Sequence, residues 1–141
     1  MLQLTHFGIW VRDQDEAYDF YVNKLGFTPR EDATLDGGFR WLTVSPPSQP
    51  DIEIMLLKPG PPPLDPGTAA EVAALVARGA FLGPIFAVDD CRTAYEALRA
   101  RGVEFHEQPT ERFYGTDAAF RDPSGNAIRI TQPAAAPAPA R

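Results

Sequence analysis

The stretch HFGIWVRDQDEAY at residues 6–18 returns in altered form as GPIFAVDDCRTAY at residues 83–95. The two stretches share a valine, an aspartate, an alanine and a tyrosine at a displacement of 77 residues. A second repeat, displaced by 76 residues, aligns DIEI at 51–54 with AIRI at 127–130. Because self-similarity at a fixed spacing indicates a repeated structural unit, we expect two modules of one architecture.

Each copy has the pattern of one strand, one helix and three further strands. In the first copy, Asp13 is a helix N-cap residue, Glu16 stands where a capping box needs its glutamate, and Gly26 provides the left-handed position after the helix. Asp90 and Gly102 take the corresponding places in the second copy. Strand composition and turn residues predict strands at about 4–11, 28–32, 39–44 and 52–57, then at about 84–88, 103–107, 117–121 and 127–131.

The predicted domain spans residues 1–132, and its two modules lie at about 4–58 and 81–132. Between them, at about 59–80, lie a linker rich in proline and glycine and a short alanine-rich helix from about Thr68 to Arg78. DPSGN at 122–126 has the residues of a tight turn. The tail at 133–141 has little apolar surface, so we expect it to be disordered.

Composition limits the possible partners and location. The 141-residue chain carries a net charge of −6, which argues against nucleic-acid binding, and no apolar run reaches the length of a membrane helix. A single cysteine, Cys91, cannot form an intramolecular disulfide, and two neighbouring aspartates oppose a reactive thiolate. With no signal-peptide pattern at the N-terminus, we expect a cytoplasmic protein.

Several motifs together resemble one protein family. They are His6 near the N-terminus, the string D-x-x-x-A-x-x-F-Y-x-x-x-L-G-F from Asp13 to Phe27, and FRDPSGN at 120–126. With the two βαβββ modules, they resemble the vicinal oxygen chelate superfamily, which includes glyoxalase I, bleomycin-resistance proteins and extradiol dioxygenases. The resemblance implies an α+β fold in which the modules form a curved, incompletely closed β-barrel. It also implies a homodimer, with a pocket formed either within one chain or, as in dimeric members of the family, by one module from each of two subunits.

The resemblance places metal ligands on the first and last strands of each module. The matching residues are His6, Glu53, Gly83 and Arg129, and the internal repeat pairs the same positions. A catalytic metal needs about three protein ligands, whereas glycine has no donor side chain and arginine is a cation. We therefore expect no metal. The alternative is a divalent ion (Zn, Ni, Fe or Mn) held by His6 and Glu53.

The retained polar residues have several interpretations. Glu53 and Arg129 are predicted to form an ion pair in place of the metal, or else to be separate solvated residues. His6 is either a ligand-binding residue or an ordinary strand histidine. His106 and its neighbours Glu104 and Glu107 resemble metal ligands in the sequence, but we expect them to be solvated instead. As catalytic candidates we name His6, Glu53 and Arg129.

Strand alternation also predicts the wall of a pocket. Trp10 shares a face with His6, and Met55 and Leu57 share a face with Glu53, which describes an apolar cup with few polar groups. Further wall candidates are aromatic, although ordinary core packing explains them equally well; they are Trp41, Phe113 and Tyr114.

Two functions agree with these residues. One is metal-free binding of a small apolar or aromatic ligand, as in the bleomycin-resistance branch that the chain resembles. The other is an enzyme: a lyase, isomerase or dioxygenase with a divalent metal at an incomplete site, or a metal-free catalyst. In the latter, His6 acts as acid or base and Arg129 holds an anionic group.

Overall fold

The computed structural model describes residues 1–135 and confirms an α+β fold of two βαβββ modules. The first module contains β1 (His6–Trp10), α1 (Gln14–Tyr18), β2 (Thr28–Thr34), β3 (Arg40–Ser45) and β4 (Glu53–Leu57). A helix, α2 (Pro66–Ala77), follows it. The second module contains β5 (Leu82–Ala87), α3 (Cys91–Ala100), β6 (Phe105–Arg112), β7 (Gly115–Arg121) and β8 (Ala127–Pro133).

Each module forms one four-stranded sheet. The strand orders are β1-β4-β3-β2 and β5-β8-β7-β6, so the first strand of each module pairs in parallel with the last. The remaining pairs are antiparallel. Neither sheet closes on itself, because β1 and β2 are the edges of one and β5 and β6 the edges of the other.

The chain divides into two compact units that follow the modules with one exchange. The first unit contains residues 1–81 together with the turn at 122–126, and the second contains residues 82–121 and the chain from Ala127 onward. The DPSGN turn therefore belongs to the first unit, although it connects two strands of the second.

Aspartate caps begin all three α-helices of the described chain. Asp13 Oδ1 accepts from Glu16 N at 2.9 Å, and Asp65 and Asp90 make the same bond three residues ahead. The predicted capping box is wrong, because the Glu16 carboxylate instead receives Arg12 Nε and Nη2 at 2.7 and 2.9 Å. A two-pronged guanidinium bond is stronger than the single backbone bond it replaces.

The first helix changes character before it ends. After α1 the chain continues as a π-helical turn, Asp19–Lys24, in which Leu25 N donates to Phe20 O at 2.9 Å. The wider turn buries the consecutive residues Phe20 and Tyr21. Gly26 follows with a φ of +80°, as predicted, and stops the helix.

The strand registers correct the repeat that the sequence indicated. Val11 N donates to Leu57 O, and its counterpart Val88 N donates to Thr131 O. Leu57 therefore corresponds to Thr131, and two steps back along each strand Met55 corresponds to Arg129. Glu53 accordingly corresponds to Ala127, so the predicted equivalence of Glu53 and Arg129 is wrong. The segment before β4 (46–52) is two residues longer than the segment before β8 (122–126).

The two faces of the sheets differ in burial most clearly along the strand β4. Along β4, Ile54 and Leu56 are buried, whereas the residues that alternate with them are only partly covered; these are Glu53, Met55 and Leu57. In the second unit the buried strand residues include Phe120, Ile128 and Ile130.

The end of the described chain is ordered further than expected. β8 extends to Pro133, and Ala134 N donates to Tyr114 O at 3.0 Å, so these residues do not belong to the tail predicted from 133. Residues 136–141 of that predicted tail lie outside the described residues. Within the described chain, no helix is long and apolar enough to cross a membrane.

Candidate functional site

Most of the predicted site residues lie on one face of the first sheet. β1 and β4 run in parallel with His6 opposite Glu53, Gly8 opposite Met55 and Trp10 opposite Leu57. β3 adds to this face through Thr43, which lies opposite Met55, and through Trp41 two residues earlier. We call the surface formed by His6, Trp41, Thr43, Glu53, Met55 and Leu57 the His6–Trp41 face.

Glu53 is the most enclosed acid of this face. Its side chain is 14% exposed, and its Oε1 accepts a hydrogen bond from Thr43 Oγ1 at 2.7 Å. His6 Nε2 lies 3.4 Å from Glu53 Oε2, and His6 Nδ1 lies 3.0 Å from Thr5 Oγ1. The two ring nitrogens of His6 therefore lie beside different oxygens, one of the Thr5 hydroxyl and one of the Glu53 carboxylate.

Trp41 is fixed by a second acid, Glu31. Its indole Nε1 donates to Glu31 Oε2 at 3.0 Å, while the Glu31 backbone N donates to Thr43 Oγ1 at 3.1 Å. The Trp41 ring lies 5.8 Å from the His6 ring at an interplanar angle of 43°. Hydrogen bonds thus link Trp41, Glu31, Thr43 and Glu53 in one group, and the His6 ring lies beside it.

Gly8 explains how apolar side chains cover the middle of this face. A Cβ at Gly8 would lie 2.9 Å from Leu57 Cδ1 and 3.2 Å from Met55 Cε. The absent side chain leaves the space that the ends of Met55 and Leu57 occupy. Trp10 lies at the end of β1, where its carbonyl accepts from Asn126 Nδ2 at 2.8 Å.

Arg129 lies in the second unit, where its charge is balanced. Its Nη1 donates to Glu107 Oε2 at 2.7 Å and to Asp117 Oδ2 at 2.8 Å. Glu53 lies beside Thr43 and His6 of the first unit, so Glu53 and Arg129 have different partners. Glu107 was expected to be solvated; its side chain is 35% exposed, and its carboxylate also binds Arg129.

Asp117 is the buried centre of the second group. Its side chain is 0% exposed, and it also accepts from Arg112 Nε at 2.7 Å and from Tyr114 OH at 2.6 Å. Burial by itself raises the pKa of Asp117, but the hydrogen bonds from Tyr114 and Arg112 and the two arginine charges outweigh it and lower that pKa. The hydrogen bond to Glu107 and the nearby acids raise the pKa of Arg129, which stays a cation.

The two aromatic wall candidates of the second unit lie at the β6–β7 turn. Phe113 is 96% exposed, and Tyr114 packs edge-on against it with ring centroids 5.2 Å apart. The Tyr114 hydroxyl is engaged by Asp117. Both roles in ligand contact stay predictions.

The donor set does not fit a catalytic metal. His6 and Glu53 offer donors, whereas Gly83 and the register counterpart of Glu53, Ala127, offer none. Within residues 1–135, no three His, Cys, Asp or Glu side chains are grouped as metal ligands. Cys91 is buried, and burial together with Asp117 raises the pKa of its thiol, which opposes ligation by a thiolate.

Sequence reasoning missed Glu31 and Thr43 in the first unit and Asp117 in the second. Strand alternation from Trp41 places Thr43 on its face, so that signal was available. Glu31 follows a register shift between Pro29 and Glu31, and a bulge of this kind has no clear signature in the sequence.

The fold is a duplicated one: two open four-stranded sheets are built from βαβββ modules, and His6 and Glu53 lie opposite each other on the neighbouring strands β1 and β4. The chain belongs to the Glyoxalase/Bleomycin resistance protein/Dioxygenase superfamily, whose sequence model matches residues 3–130.

Individual relatives are similar over nearly the whole chain. The uncharacterized protein YurT of Bacillus subtilis (strain 168) is 37% identical over 125 residues, covering 89% of this chain and 94% of YurT. The crystal structure of UcmS2 is 44% identical with a TM-score of 0.85, covering 93% of this chain and 98% of UcmS2. TnmS3, an antibiotic binding protein from Streptomyces sp. CB03234, is 30% identical with a TM-score of 0.74, covering 95% and 98%.

Proposed function

We propose that this protein binds a small apolar or aromatic molecule on the His6–Trp41 face without using a metal. The observation that carries the proposal is the pairing of the Trp41 and His6 rings beside the partly enclosed carboxylate of Glu53. Aromatic surface with a few fixed polar groups is the usual character of a small-molecule site. The similarity to TnmS3, an antibiotic binding protein, supports the binding of a small molecule.

Titration with planar aromatic compounds, followed by calorimetry, tests the binding site. Replacing Trp41 by Leu removes the ring, and we expect it to weaken binding by about ten-fold or more, as loss of a stacking anchor does at other interfaces. The matched variant Trp41→Phe keeps an aromatic surface and loses only the bond to Glu31, so it retains most of the affinity. Equal affinities for wild type and Trp41→Leu would place the ligand elsewhere.

Metal analysis of protein purified without chelators tests the metal-free part of the proposal. We expect less than one transition metal per chain, because two donors do not make a tight catalytic site. A stoichiometric metal that disappears in His6→Ala would contradict this part and favour a divalent-metal enzyme.

A homodimer is also part of the proposal. β5 is an edge strand on which Leu82 and Ile85 are 84% and 69% exposed, and an exposed apolar edge favours association. Light scattering on a sizing column is expected to give twice the chain mass, and Leu82→Lys is expected to shift it toward the monomer. A monomer mass for the wild type at micromolar concentration would contradict the dimer.

A second candidate function is metal-free acid–base catalysis by His6. The 3.4 Å approach of Glu53 Oε2 to His6 Nε2 supports it, because a carboxylate partner orients an imidazole for proton transfer. The test is chemical conversion of any ligand that binds, followed by mass spectrometry. Catalysis predicts conversion that His6→Gln abolishes while binding persists; binding without conversion favours the first function.

A further inference from the structure

The carboxylates of the two sheets differ in how their charge is balanced. In the second unit, Glu107 receives Arg129, and Asp117 receives Arg112 and Arg129. Glu31 occupies in the first sheet the position that Glu107 has in the second. Glu31 lies opposite Thr43 and Glu107 lies opposite Ala119, and these two partners have the same place in their sheets. Among the described residues, neither Glu31 nor Glu53 forms an ion pair with an arginine or a lysine.

Of these two acids, Glu53 is the more buried and has the greater need for a compensating hydrogen bond or charge. At 14% exposure it has lost most of its water, and a carboxylate so enclosed is costly unless charge or hydrogen bonds compensate it. Thr43 supplies one short bond to Oε1, whereas Oε2 has only the imidazole at 3.4 Å. A carboxylate accepts about four hydrogen bonds, so Glu53 retains capacity for a further donor.

The arginines next in sequence to Glu31 and Trp41 bind other groups. Arg30 precedes Glu31, but its Nη1 donates to Ser45 Oγ at 3.1 Å and to the Pro50 carbonyl. Arg40, which precedes Trp41, binds Asp32 and Asp15. Neither arginine therefore balances the negative charge of Glu31 or Glu53.

Trp41 adds an attraction of its own for a cation. Its indole is fixed by the bond from Nε1 to Glu31, and an indole ring face attracts cations more strongly than other aromatic side chains do. An aromatic ring bonded to one acid, Glu31, on the same sheet face as a second acid, Glu53, matches a ligand in which an ammonium group is attached to an apolar or aromatic body. An anionic or purely hydrocarbon ligand would leave the acids without compensation.

We propose that the His6–Trp41 face selects aromatic ligands that carry a protonated amine, with the ammonium bound by Glu53 and attracted by Glu31 and the Trp41 ring. This inference rests on the proposed binding function of the same face. It names the ligand class that the charges of the face favour.

Three anthracene probes that differ in one substituent test the charge preference. They carry a methylaminomethyl, a hydroxymethyl or a carboxylate group on the central ring, and binding to the wild-type protein is followed by fluorescence anisotropy at one fixed pH near neutrality. We expect the amine to bind at least about ten-fold more tightly than the alcohol, and the carboxylate to bind most weakly. Glu53→Gln is expected to remove most of the amine's advantage and to leave the affinity for the alcohol nearly unchanged.

Glu71→Gln makes the same charge change on the exposed surface of α2 and serves as the matched control, with no loss of preference expected. Circular dichroism establishes that each variant is folded, and Glu31→Gln gives a second, milder test if Glu53→Gln fails to fold. Equal binding of the amine and the alcohol, with both weakened by Trp41→Leu, would overturn the charge preference and keep the binding function. Binding of none of the probes would overturn both.

Discussion

At the scale of single residues, the buried hydroxyl of Tyr21 holds the turn at 122–126 within the first unit. Tyr21 OH donates to Asp122 Oδ2 at 2.7 Å. The same carboxylate organises its own turn by accepting from the backbone N of Ser124 and of Asn126, each at 2.9 Å. Burial and the negative charge of Asp122 raise the pKa of Tyr21, so the hydroxyl stays a donor.

We expect Tyr21→Phe to lower the free energy of unfolding by about 2 kcal/mol, because it removes a hydrogen bond to a charged group inside the protein. Urea denaturation measures the effect. Tyr18→Phe, three residues earlier in α1 and only partly buried, is the matched control and should change stability by less than about 0.5 kcal/mol. Equal effects of the two variants would mean that the bond to Asp122 contributes nothing measurable.

Asp117 predicts how stability changes in acid. Its pKa is lowered in the folded protein relative to the unfolded value of about 4, so its contribution is present above about pH 4 and is lost as pH falls through the folded pKa. Asp117→Asn should cost about 3 kcal/mol at neutral pH, because it removes one partner of a buried ion-pair group.

Unfolding followed from neutral pH to about pH 2 measures that contribution. The variant is expected to lose less stability over this range than the wild type, and Asp51→Asn in the exposed segment before β4 provides the control. Parallel acid profiles for wild type and Asp117→Asn would show that this carboxylate is not the titrating group.

At the scale of the elements, features that depend on local chemistry were predicted better than the alignment of distant strands. The caps at Asp13 and Asp90 and the positive φ values of Gly26 and Gly102 follow from side-chain and backbone chemistry within a few residues, and sequence alone located them. The alignment of β4 with β8 was wrong by two residues. A strand alternates with a period of two, so such a slip preserves the pattern of inward and outward residues.

The same periodicity explains how much of the site could be predicted. His6, Glu53, Met55 and Leu57 were placed on one face correctly, because a face depends only on alternation. The side-chain partners of Glu53 and Arg129 were not predicted correctly, because such partners depend on strand register and on distances across strands. The bulge before Glu31 in β2 and the two extra residues before β4 decide these, and neither changes the apolar pattern.

Two glycines on the first strands of the modules give contrasting predictions. A Cβ at Gly83 would lie 2.8 Å from Ile128 Cγ1 and 3.0 Å from the backbone oxygen of Ala127, which cannot move without disturbing β8. We expect Gly83→Ala to destabilise the protein by about 1–3 kcal/mol through overpacking. At Gly8 the nearest atoms are the flexible ends of Leu57 and Met55, so Gly8→Ala should cost less than about 1 kcal/mol.

Thermal unfolding and probe binding together test this contrast. Gly8→Ala is expected to change affinity on the His6–Trp41 face more than it changes stability, since the displaced ends of Leu57 and Met55 lie on that face. The opposite ranking, with Gly8→Ala the more destabilising, would contradict the packing described for β1 and β4.

At the scale of the whole molecule, duplication has given one chain two sheets with the same order and different chemistry. The second sheet pairs its acids with Arg112 and Arg129, whereas among the described residues Glu31 and Glu53 of the first sheet have no arginine or lysine partner. The first sheet therefore contributes to the chain's net charge of −6 at the face where a ligand is proposed. We therefore expect the His6–Trp41 face to select between ligands by long-range charge as well as by direct contact.

This charge predicts a salt dependence that differs between ligands. A negative protein speeds the approach of a cation, and dissolved salt shortens the range of that attraction from roughly 30 Å at about 0.01 M to roughly 3 Å at about 1 M. Stopped-flow measurements should therefore show the association rate constant of the methylaminomethyl anthracene falling several-fold as salt is added. The uncharged hydroxymethyl anthracene has no charge to be attracted, so its rate constant should stay nearly constant. Equal slowing of both probes would mean that salt acts on the protein itself and that its net charge does not guide the ligand.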